Sequence, residues 1–349
     1  MALEIAVDTT IHHIMRNFLF ALIALCLAPL VEVKAQALRF NARGEFKIVQ
    51  FTDLHYRLDD PRSDAVLQCI TDVLAKEKPQ LAVFTGDNIY SKPGDMAMKR
   101  LVAHIDAQGV PFVMLFGNHD EEQGFPNATL YDIIRKAKNN VMPERGSNPS
   151  PDYALAIKDA KGQRAEAVIY CIDSHNHVRT QLAGEKGYAF ITPEQVEWYR
   201  RSSDAFTKAN GGQPLPAVAF FHIPFPEYYL ATSDPSVIMY GTRMEAPCSP
   251  KLNTGLFVNM RVKGDVMGVF CGHDHDNDFA AMYHGILLAY GRFSGGNTEY
   301  NHLANGARVI VLKEGKRKFD TWIRERGNDA IKERTSFPKS YVKDDWTKR

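Results

Sequence analysis

The sequence predicts an α/β protein in which a sheet of parallel type is covered by helices and followed by shorter antiparallel strands. Three observations support this class. Apolar strand patterns alternate three times with helical patterns in the first half of the chain. Further buried strand patterns follow in the second half, and short apolar runs separated by glycine or charge fill the last part. Repeated strand-helix units favour parallel neighbours, because a helix joins them as a crossover.

The first half contains three strand-helix units. The apolar strand patterns span 46–51, 81–84 and 112–116. Apolar residues at helical spacing follow each strand, at 62–77, at about 95–108 and at 127–138. Pro79 ends the first of these helices, because proline cannot continue the helical hydrogen-bond pattern. These units predict the parallel part of the sheet.

The second half is more mixed. Buried strands are predicted at 167–172, 217–221 and 266–271. A helix is predicted from Pro193 to about Lys208, with Thr192 as its N-cap and proline at its first position. The final stretches are predicted to be antiparallel strands, because glycine or charged residues separate them at short intervals. They span 280–290, 307–313 and 318–324.

The chain is predicted to hold one domain between two terminal segments. Residues 1–36 resemble a signal peptide, since Arg16 precedes an apolar run over 18–30 and small residues near 35 offer a cleavage position. Translation from Met15 would give a cleaner signal, and an uncleaved membrane anchor is the alternative. Residues 37–325 form the predicted domain. Residues 326–349 are a charged tail, expected as a peripheral helix, a wrap or disorder.

Composition limits the partners. Hydrophobic residues make up 45% of the chain and charged residues 24%, which suits a globular protein with a large core. The formal charge of +1 gives no case for binding nucleic acid or an anionic membrane surface. Once the signal is removed we expect no stable membrane span, and an exported location: periplasmic, secreted or at the cell surface. The oligomeric state stays open.

Four cysteines remain after the expected signal, and the sequence does not decide whether they form disulfides. They are Cys69, Cys171, Cys248 and Cys271. Cys171 and Cys271 lie in apolar strand patterns, where a free cysteine acts as a small hydrophobic residue. No C-x-x-C motif occurs in the sequence, which argues against a structural zinc finger.

Five predicted strands end in polar clusters. The clusters are Asp53-Leu54-His55, Gly86-Asp87-Asn88, Gly117-Asn118-His119-Asp120, His222, and Gly272-His273-Asp274-His275. In open α/β sheets, sites form outside the carboxyl ends of strands. Residues two apart in a strand share a face, so His273 and His275 can aim at one point if the extended conformation continues. We therefore expect the five clusters to meet in one site.

The donor types indicate the kind of ion. Imidazole, carboxylate and amide donors without thiolate suit zinc, manganese or iron, and so many donors require two ions. Asp87 lies in a tight glycine turn and is available to bridge them. Two divalent cations with few carboxylates keep a positive field that attracts a phosphate ester. Such ions lower the pKa of bound water, giving a hydroxide that attacks phosphorus in line. A closed structural site needs only four ligands.

The ordered motifs D-x-H, G-D, G-N-H-D, H and G-H-x-H resemble those of the calcineurin-like metallophosphoesterases. The surroundings resemble the purple acid phosphatase-like branch of plants and its fungal and bacterial relatives. These surroundings are T-G-D-N-I-Y at 85–90, F-H-I-P at 221–224 and G-H-D-H-D-N-D-F at 272–279. The resemblance covers about residues 47–312. It implies a four-layer αββα sandwich of two mixed sheets flanked by helices, with a dinuclear site.

The resemblance also implies residue roles. One metal ion is assigned Asp53, His55 and His275. The other is assigned Asn118, His222 and His273, and Asp87 bridges the two. His119 is implied to contact the phosphate outside the metal shell and to protonate the leaving alkoxide, with Asp120 orienting it as a histidine-carboxylate pair.

This chain departs from true purple acid phosphatases at one point. Those enzymes replace the histidine of D-x-H and use the tyrosine of G-D-x-x-Y as an iron ligand, whereas His55 and Tyr90 both occur here. We expect His55 to take the coordination position, Tyr90 to line the pocket and the purple charge-transfer band to be absent. The metal pair therefore stays open among iron, zinc and manganese.

Residues near the motifs receive simpler interpretations. His175 and His177 are expected as loop or outer groups rather than ligands. Asp274, Asp276 and Asp278 flank the motif histidines and are expected to orient them or to meet solvent.

The sequence thus predicts an exported, metal-dependent phosphoric ester hydrolase acting on a small phosphoester. Phosphodiesterase or nucleotidase action remains open, because no stretch identifies a leaving-group pocket. A catalytically silent phosphate- or metal-binding homologue is the alternative from another class. The physiological substrate is not identified by the sequence.

Overall fold

The computed structural model describes residues 38–296 and 299–342. In the described part, the strands are β1 (Glu45–Phe51), β2 (Leu81–Thr85), β3 (Phe112–Leu115), β4 (Tyr153–Lys158), β5 (Ala165–Cys171), β6 (Ala217–Phe220), β7 (Met239–Tyr240), β8 (Val266–Cys271), β9 (Ala280–Tyr283), β10 (Ile286–Tyr290), β11 (Gly306–Lys313), β12 (Phe319–Glu325) and β13 (Ile331–Phe337). The helices are α1 (Ser63–Glu77), α2 (Gly94–Ala107), α3 (Asn127–Arg135), α4 (Pro193–Ala209), α5 (Glu227–Ser233) and α6 (Leu256–Lys263).

The strands form two mixed sheets. The first has the order β13-β12-β11-β1-β2-β3, and the second has the order β4-β5-β6-β8-β10-β9-β7. β1, β2 and β3 are parallel neighbours, as the strand-helix units predict. β5, β6, β8 and β10 are parallel in the second sheet. The carboxyl ends of the two parallel sets carry the polar clusters of the sequence.

Alternating side chains of the second sheet pack into two separate cores. On β6, Val218 and Phe220 belong to a core shared with the first sheet, whereas Ala217 and Ala219 belong to a core shared with α4, α5 and α6. The ring of Phe270 on β8 lies 5.9 Å from the ring of Phe319 on β12, which joins the sheets. Helix α1 packs on the first sheet. The predicted αββα sandwich is therefore confirmed.

Helix α4 shows how local sequence sets an element boundary. The Thr192 side chain accepts a hydrogen bond from the backbone N–H of Gln195, and the Gln195 side chain accepts one from the N–H of Thr192. This capping box satisfies donors that the first turn leaves unpaired. Pro193 follows at the first helical position, where its missing N–H costs nothing. The prediction for this helix is confirmed.

Several strand assignments need correction. β10, within the stretch expected to be antiparallel, runs parallel to β8, although β9 is antiparallel to β10. The sequence patterns did not predict β4, β7, α5 or α6. Residues 326–349 were expected outside the domain, but β13 pairs with β12 at the edge of the first sheet. Charged residues dominate β13, so its sequence lacks the apolar signal of a buried strand.

The expected signal peptide over residues 1–36 lies outside the described residues. Within the described ranges, no helix combines the length and the apolarity needed to cross a membrane.

Candidate metal centre

The strand-end clusters of both sheets come together in one place. Asp53 and His55 follow β1, Asp87 follows β2 and Asn118 follows β3, all from the first sheet. The second sheet supplies three histidines, which follow β6 and β8: His222, His273 and His275. All seven side chains are buried. The structure thus brings together every residue predicted as a metal ligand.

The first group of donors contains Asp53, His55 and His275. One ligand atom from each lies within 4.8 Å of the others. The Nε2 atoms of His55 and His275 are 3.1 Å apart, and His275 Nε2 is 3.6 Å from Asp53 Oδ1. Three buried donors facing one point have the composition of a site for a divalent cation.

The second group contains Asp87, His222 and His273, again with ligand atoms within 4.8 Å of one another. His222 Nε2 lies 3.3 Å from Asp87 Oδ2. It also lies 3.2 Å from Asn118 Oδ1, which adds an amide oxygen to this group. The second group therefore offers four donors of the predicted types.

Asp87 connects the two groups. Its Oδ2 atom lies 3.3 Å from His222 Nε2 in the second group and 3.7 Å from His55 Nε2 in the first. Its other oxygen, Oδ1, accepts a hydrogen bond of 2.8 Å from the backbone N–H of His119. The carboxylate is thereby held so that a single oxygen faces both groups.

The donor set fits two cations. His273 Nε2 is buried and has no hydrogen-bond partner in the protein, an arrangement that is costly unless the atom binds something. His222 and His275 donate from Nδ1 to the carbonyl oxygens of Thr85 and Tyr300, at 2.8 Å each. Backbone carbonyls thus fix both rings with Nε2 facing the donor groups, as in metal-binding histidines.

Burial and neighbouring charges set the protonation of the donors. Burial lowers the pKa of His55 and of His273 to about 3, so both rings are neutral and able to coordinate. Burial opposes ionisation of Asp53, but the neighbouring imidazoles of His275 and His222 lower its pKa to about 2. Burial likewise opposes protonation of His222, but Asp87 raises its pKa to about 10.

The backbone around the donors is strained. Four of the seven donor residues have positive φ angles, a region that side chains rarely adopt. They are Asp53 at 53°, His55 at 44°, Asp87 at 50° and His273 at 82°. Unfavourable backbone angles of this kind concentrate at functional sites, where surrounding structure enforces them.

Two glycines allow close approach to the carboxylates. A Cβ atom at Gly117 would lie 2.2 Å from Asp87 Oδ1, and one at Gly272 would lie 2.7 Å from Asp53 Oδ2. The glycines of G-N-H-D and G-H-x-H are therefore required by packing.

His273 and His275 do not share a face as the strand pattern suggested. β8 ends at Cys271, and the positive φ of His273 turns the chain, so extended structure does not continue. The two rings consequently enter different donor groups, which is the division that the family resemblance implied.

The expected pairing of Asp120 with His119 is wrong. Asp120 accepts hydrogen bonds from the backbone N–H groups of Gly117, Asn88 and Ile89, at 2.8, 2.9 and 3.1 Å. It is buried, and its hydrogen bonds join the turn after β2 to the turn after β3. Glu122 takes the expected position instead, with Oε2 2.7 Å from His119 Nδ1.

Aromatic rings border the donor histidines. The Tyr90 ring lies 5.2 Å from the ring of His55 and 5.0 Å from that of His119, in edge-on contacts. Tyr188 meets His273 at 4.3 Å, and Tyr300 stacks on His275 at 4.4 Å. The sequence analysis missed Tyr188 and Tyr300, because no motif marks them. Tyr90 was expected to line the pocket, and its ring lies beside those of His55 and His119.

The aspartates of the G-H-D-H-D-N-D-F motif anchor loops. Asp274 accepts from the Tyr290 hydroxyl and the Cys248 N–H, and Asp276 from the N–H of His302. Asp278 pairs with Arg292. The expectation that these residues orient the histidines or meet solvent is therefore corrected: they are buried and fix neighbouring segments.

His175 and His177 lie outside both donor groups. His175 Nε2 contacts Gln195 Oε1 at 2.8 Å. His177 Nε2 lies 3.5 Å from Glu122 Oε1, and its ring faces that of Tyr188 at 6.2 Å. His177 thus reaches the same carboxylate as His119. The sequence signal that identifies Glu122 is its position three residues after His119, one helical turn away.

Comparisons with known proteins agree with this geometry. Probable inactive purple acid phosphatase 29 of Arabidopsis thaliana is 31% identical over 86% of this chain and 85% of its own length. Phosphatase DCR2 of Saccharomyces cerevisiae is 29% identical over 85% of this chain and 57% of its own length. A solved dimetal phosphatase from Danio rerio shares the fold, with a TM-score of 0.58 at 14% identity over 82% of this chain and 98% of that one.

The family comparison covers the same segment as the site. A model of the family described as Calcineurin-like phosphoesterase matches residues 46–277, from β1 through the last of the donor histidines. The two mixed sheets flanked by helices, and the two donor groups at the carboxyl ends of their strands, agree with that match. The chain belongs to the calcineurin-like phosphoesterase family, and its relatives include purple acid phosphatase-like proteins.

Proposed function

We propose that the protein is a metal-dependent phosphoric ester hydrolase with a dinuclear centre. Asp53, His55 and His275 would hold one cation, and Asn118, His222 and His273 the other, with Asp87 bridging them. The observation that carries the proposal is the position of Asp87 Oδ2, which faces donors of both groups from a buried carboxylate. Iron, zinc and manganese all suit these donors.

Each protein group has a task in the hydrolysis. When bound, two such cations supply Lewis-acid charge for the phosphoryl group and a hydrolytic nucleophile at neutral pH. The Asn118 amide orients a phosphoryl oxygen by hydrogen bonding. His119 lies beside the donors, its ring 5.7 Å from that of His55, and donates a proton to the departing oxygen. Tyr90 packs edge-on against His119 and limits the orientations open to that ring.

A second candidate function is binding without catalysis. Three Arabidopsis relatives are named probable inactive purple acid phosphatases, which favours a protein that holds metal or phosphate only. The seven donors together with His119 support hydrolysis instead, since a binding protein has no need of a proton donor. Phosphodiesterase or nucleotidase action is a further alternative within the same chemistry.

The test combines metal analysis with turnover. The purified protein is supplied with zinc, manganese or iron, and bound metal is measured beside hydrolysis of an aryl phosphate and its bis-aryl diester. We expect two metal ions per chain and hydrolysis of the monoester. Two bound ions without turnover of any ester would favour the silent binder, and preference for the diester would favour a phosphodiesterase.

We also propose that the protein is exported. The apolar run at 18–30 after Arg16 supports this location. Expression of the full chain followed by mass spectrometry of its N-terminus should reveal cleavage near residue 36, and an intact N-terminus would contradict export by a cleaved signal.

A further inference from the structure

We propose that Glu122 is a positioning residue for His119 and thereby extends the enzyme to esters with poor leaving groups. The inference rests on the proposed hydrolytic function. Its basis is the side-chain geometry around His119, which differs from the histidine-aspartate pair that the sequence suggested.

The primary contact fixes the ring of His119. Its Nδ1 lies 2.7 Å from Glu122 Oε2, the distance of a charge-assisted hydrogen bond. Because a carboxylate only accepts, Nδ1 carries the proton, and Nε2 is the nitrogen left for a substrate. The ring is also packed edge-on against Tyr90. Glu122 therefore sets both the tautomer and the orientation of the imidazole.

Contacts from a second segment hold Glu122 itself. Its other oxygen, Oε1, lies 3.5 Å from His177 Nε2. Beside it, Asn176 Nδ2 donates to Glu121 Oε2 at 3.0 Å, which docks the segment 176–177 on the two glutamates. The His177 ring in turn faces Tyr188, which contacts His273. These contacts connect His119, through Glu122, His177 and Tyr188, to His273 of the second donor group.

The chemical consequence concerns the leaving group. As the P–O bond breaks, its electron pair passes to the ester oxygen, which takes the Nε2 proton of the imidazolium form of His119 and leaves the neutral ring protonated at Nδ1. The Nδ1 proton stays on the ring, held by Glu122. An alkoxide is a poor leaving group and requires this proton, whereas nitrophenolate departs as a stable anion. A positioned acid therefore matters for alkyl esters and little for nitrophenyl esters.

The experiment compares two substrates on matched variants. Glu122→Leu removes the acceptor, and Glu122→Gln keeps an acceptor oxygen without the charge. Glu197→Leu is the control, because Glu197 pairs with Arg200 and Arg201 on the surface of α4 and contacts no residue of the site. The metal-loaded proteins are assayed with propyl phosphate and with p-nitrophenyl phosphate. For Glu122→Leu we expect kcat on propyl phosphate to fall about 10- to 100-fold with little change in KM.

The second substrate and the other variants should give different results, because they test the proton donor separately from the fold. Glu122→Leu should retain p-nitrophenyl phosphate turnover within about threefold, and Glu122→Gln should recover part of the propyl phosphate activity. Glu197→Leu should resemble the wild type on both substrates. An equal loss on both substrates, or no loss on either, overturns the positioning role.

A second measurement is independent of turnover. Long-range ¹H–¹⁵N NMR of the histidine rings, with His119 identified by its absence in His119→Gln, should show Nδ1 protonated in the wild type and in Glu197→Leu. Glu122→Leu should lose this state. An unchanged His119 tautomer in Glu122→Leu overturns the inference. Absence of wild-type turnover with all three metals would instead count against the proposed function, and the NMR result would still decide the role of Glu122.

Discussion

Asp87 shows how much the candidate centre depends on single residues. Its backbone occupies the left-handed region, one of its oxygens is fixed by the His119 N–H, and the other faces both donor groups. Asparagine tolerates the same backbone region and keeps an amide oxygen for the His119 N–H. An Asp87→Asn substitution therefore removes charge while preserving shape.

We expect Asp87→Asn to lose bound metal and to lower turnover by about 100-fold or more, because even partners outside the metal shell affect affinity by about 10- to 100-fold. Elemental analysis and an aryl phosphate assay measure the two effects, and circular dichroism checks the fold. Asp64→Asn, on the exposed first turn of α1, is the control. Full metal content and activity in Asp87→Asn would contradict the bridging role.

The position of Gly117 likewise leaves no room for a larger side chain. Its substitution by alanine places a methyl group 2.5 Å from the Asp87 backbone nitrogen, so one of the two turns has to move. We expect Gly117→Ala to cost about 1–3 kcal/mol of unfolding free energy and to reduce bound metal. Gly109→Ala, at an open surface position with positive φ, should lose some stability and keep its metal. Urea denaturation and metal analysis separate the two results.

At the scale of residues, the metal-ligand candidates could be predicted from the sequence, but the residues that position His119 could not. The donors follow strands with strong apolar patterns, so their common edge could be predicted. Three consecutive acidic residues, Asp120 to Glu122, follow His119. Which of them faces the ring depends on the turn after β3, and that turn is set by contacts with the G-D-N loop.

At the scale of elements, hydrogen bonds of Glu77, the last residue of helix α1, hold this helix against the first sheet. Glu77 accepts hydrogen bonds from Trp322 Nε1 at 3.1 Å and Arg324 Nε at 2.7 Å on β12, and from Lys47 Nζ at 3.0 Å on β1. Burial opposes the ionised form, but these donors lower the pKa of Glu77 below its ordinary value. One buried carboxylate thus joins three elements.

We expect Glu77→Gln to lower the unfolding free energy by about 1–3 kcal/mol at neutral pH, since buried donors lose their charged acceptor. The lowered pKa means that the stabilisation is complete above the ordinary glutamate pKa and is lost as the pH falls through the folded-state value. The difference between wild type and variant should therefore stay complete down to about pH 4 and shrink as the pH falls below that value. Urea denaturation across this range, with exposed Glu185→Gln as control, measures it. A difference independent of pH would contradict the charge-based account.

Elements with distinctive local sequence were predictable, and those defined by tertiary pairing were not. Helix α4 carries its own capping box, whereas β13 becomes a strand only because β12 offers it an edge. The ring of Phe337 on β13 stacks on that of Phe319 on β12 at 4.9 Å and stabilises this pairing. No local sequence pattern predicts the contact. The direction of β10 likewise depends on its neighbour β8.

At the scale of the whole molecule, each donor group takes residues from both sheets. A cation in either group would therefore join the two sheets as well as serve chemistry. A ligand that binds only the folded state adds about 2.7 kcal/mol of stability at a concentration 100 times its dissociation constant.

We expect chelation to lower the unfolding free energy of the metal-loaded protein by about 3 kcal/mol or more, and re-addition of zinc or manganese to restore it. Thermal denaturation before and after chelation measures the change. The Asp87→Asn variant is the matched control and should respond less. Metal loss, verified by elemental analysis, without a shift in the unfolding transition would contradict a role in joining the sheets.

The separation of the donors along the chain has a consequence for biosynthesis. His55 and His275 are neighbours in space but 220 residues apart in sequence. Neither donor group is complete until the segment carrying His273 and His275 has left the ribosome, so a nascent or prematurely terminated chain cannot assemble either group. Any metal acquired earlier would meet an incomplete set of ligands, so complete loading has to follow the emergence of this late segment.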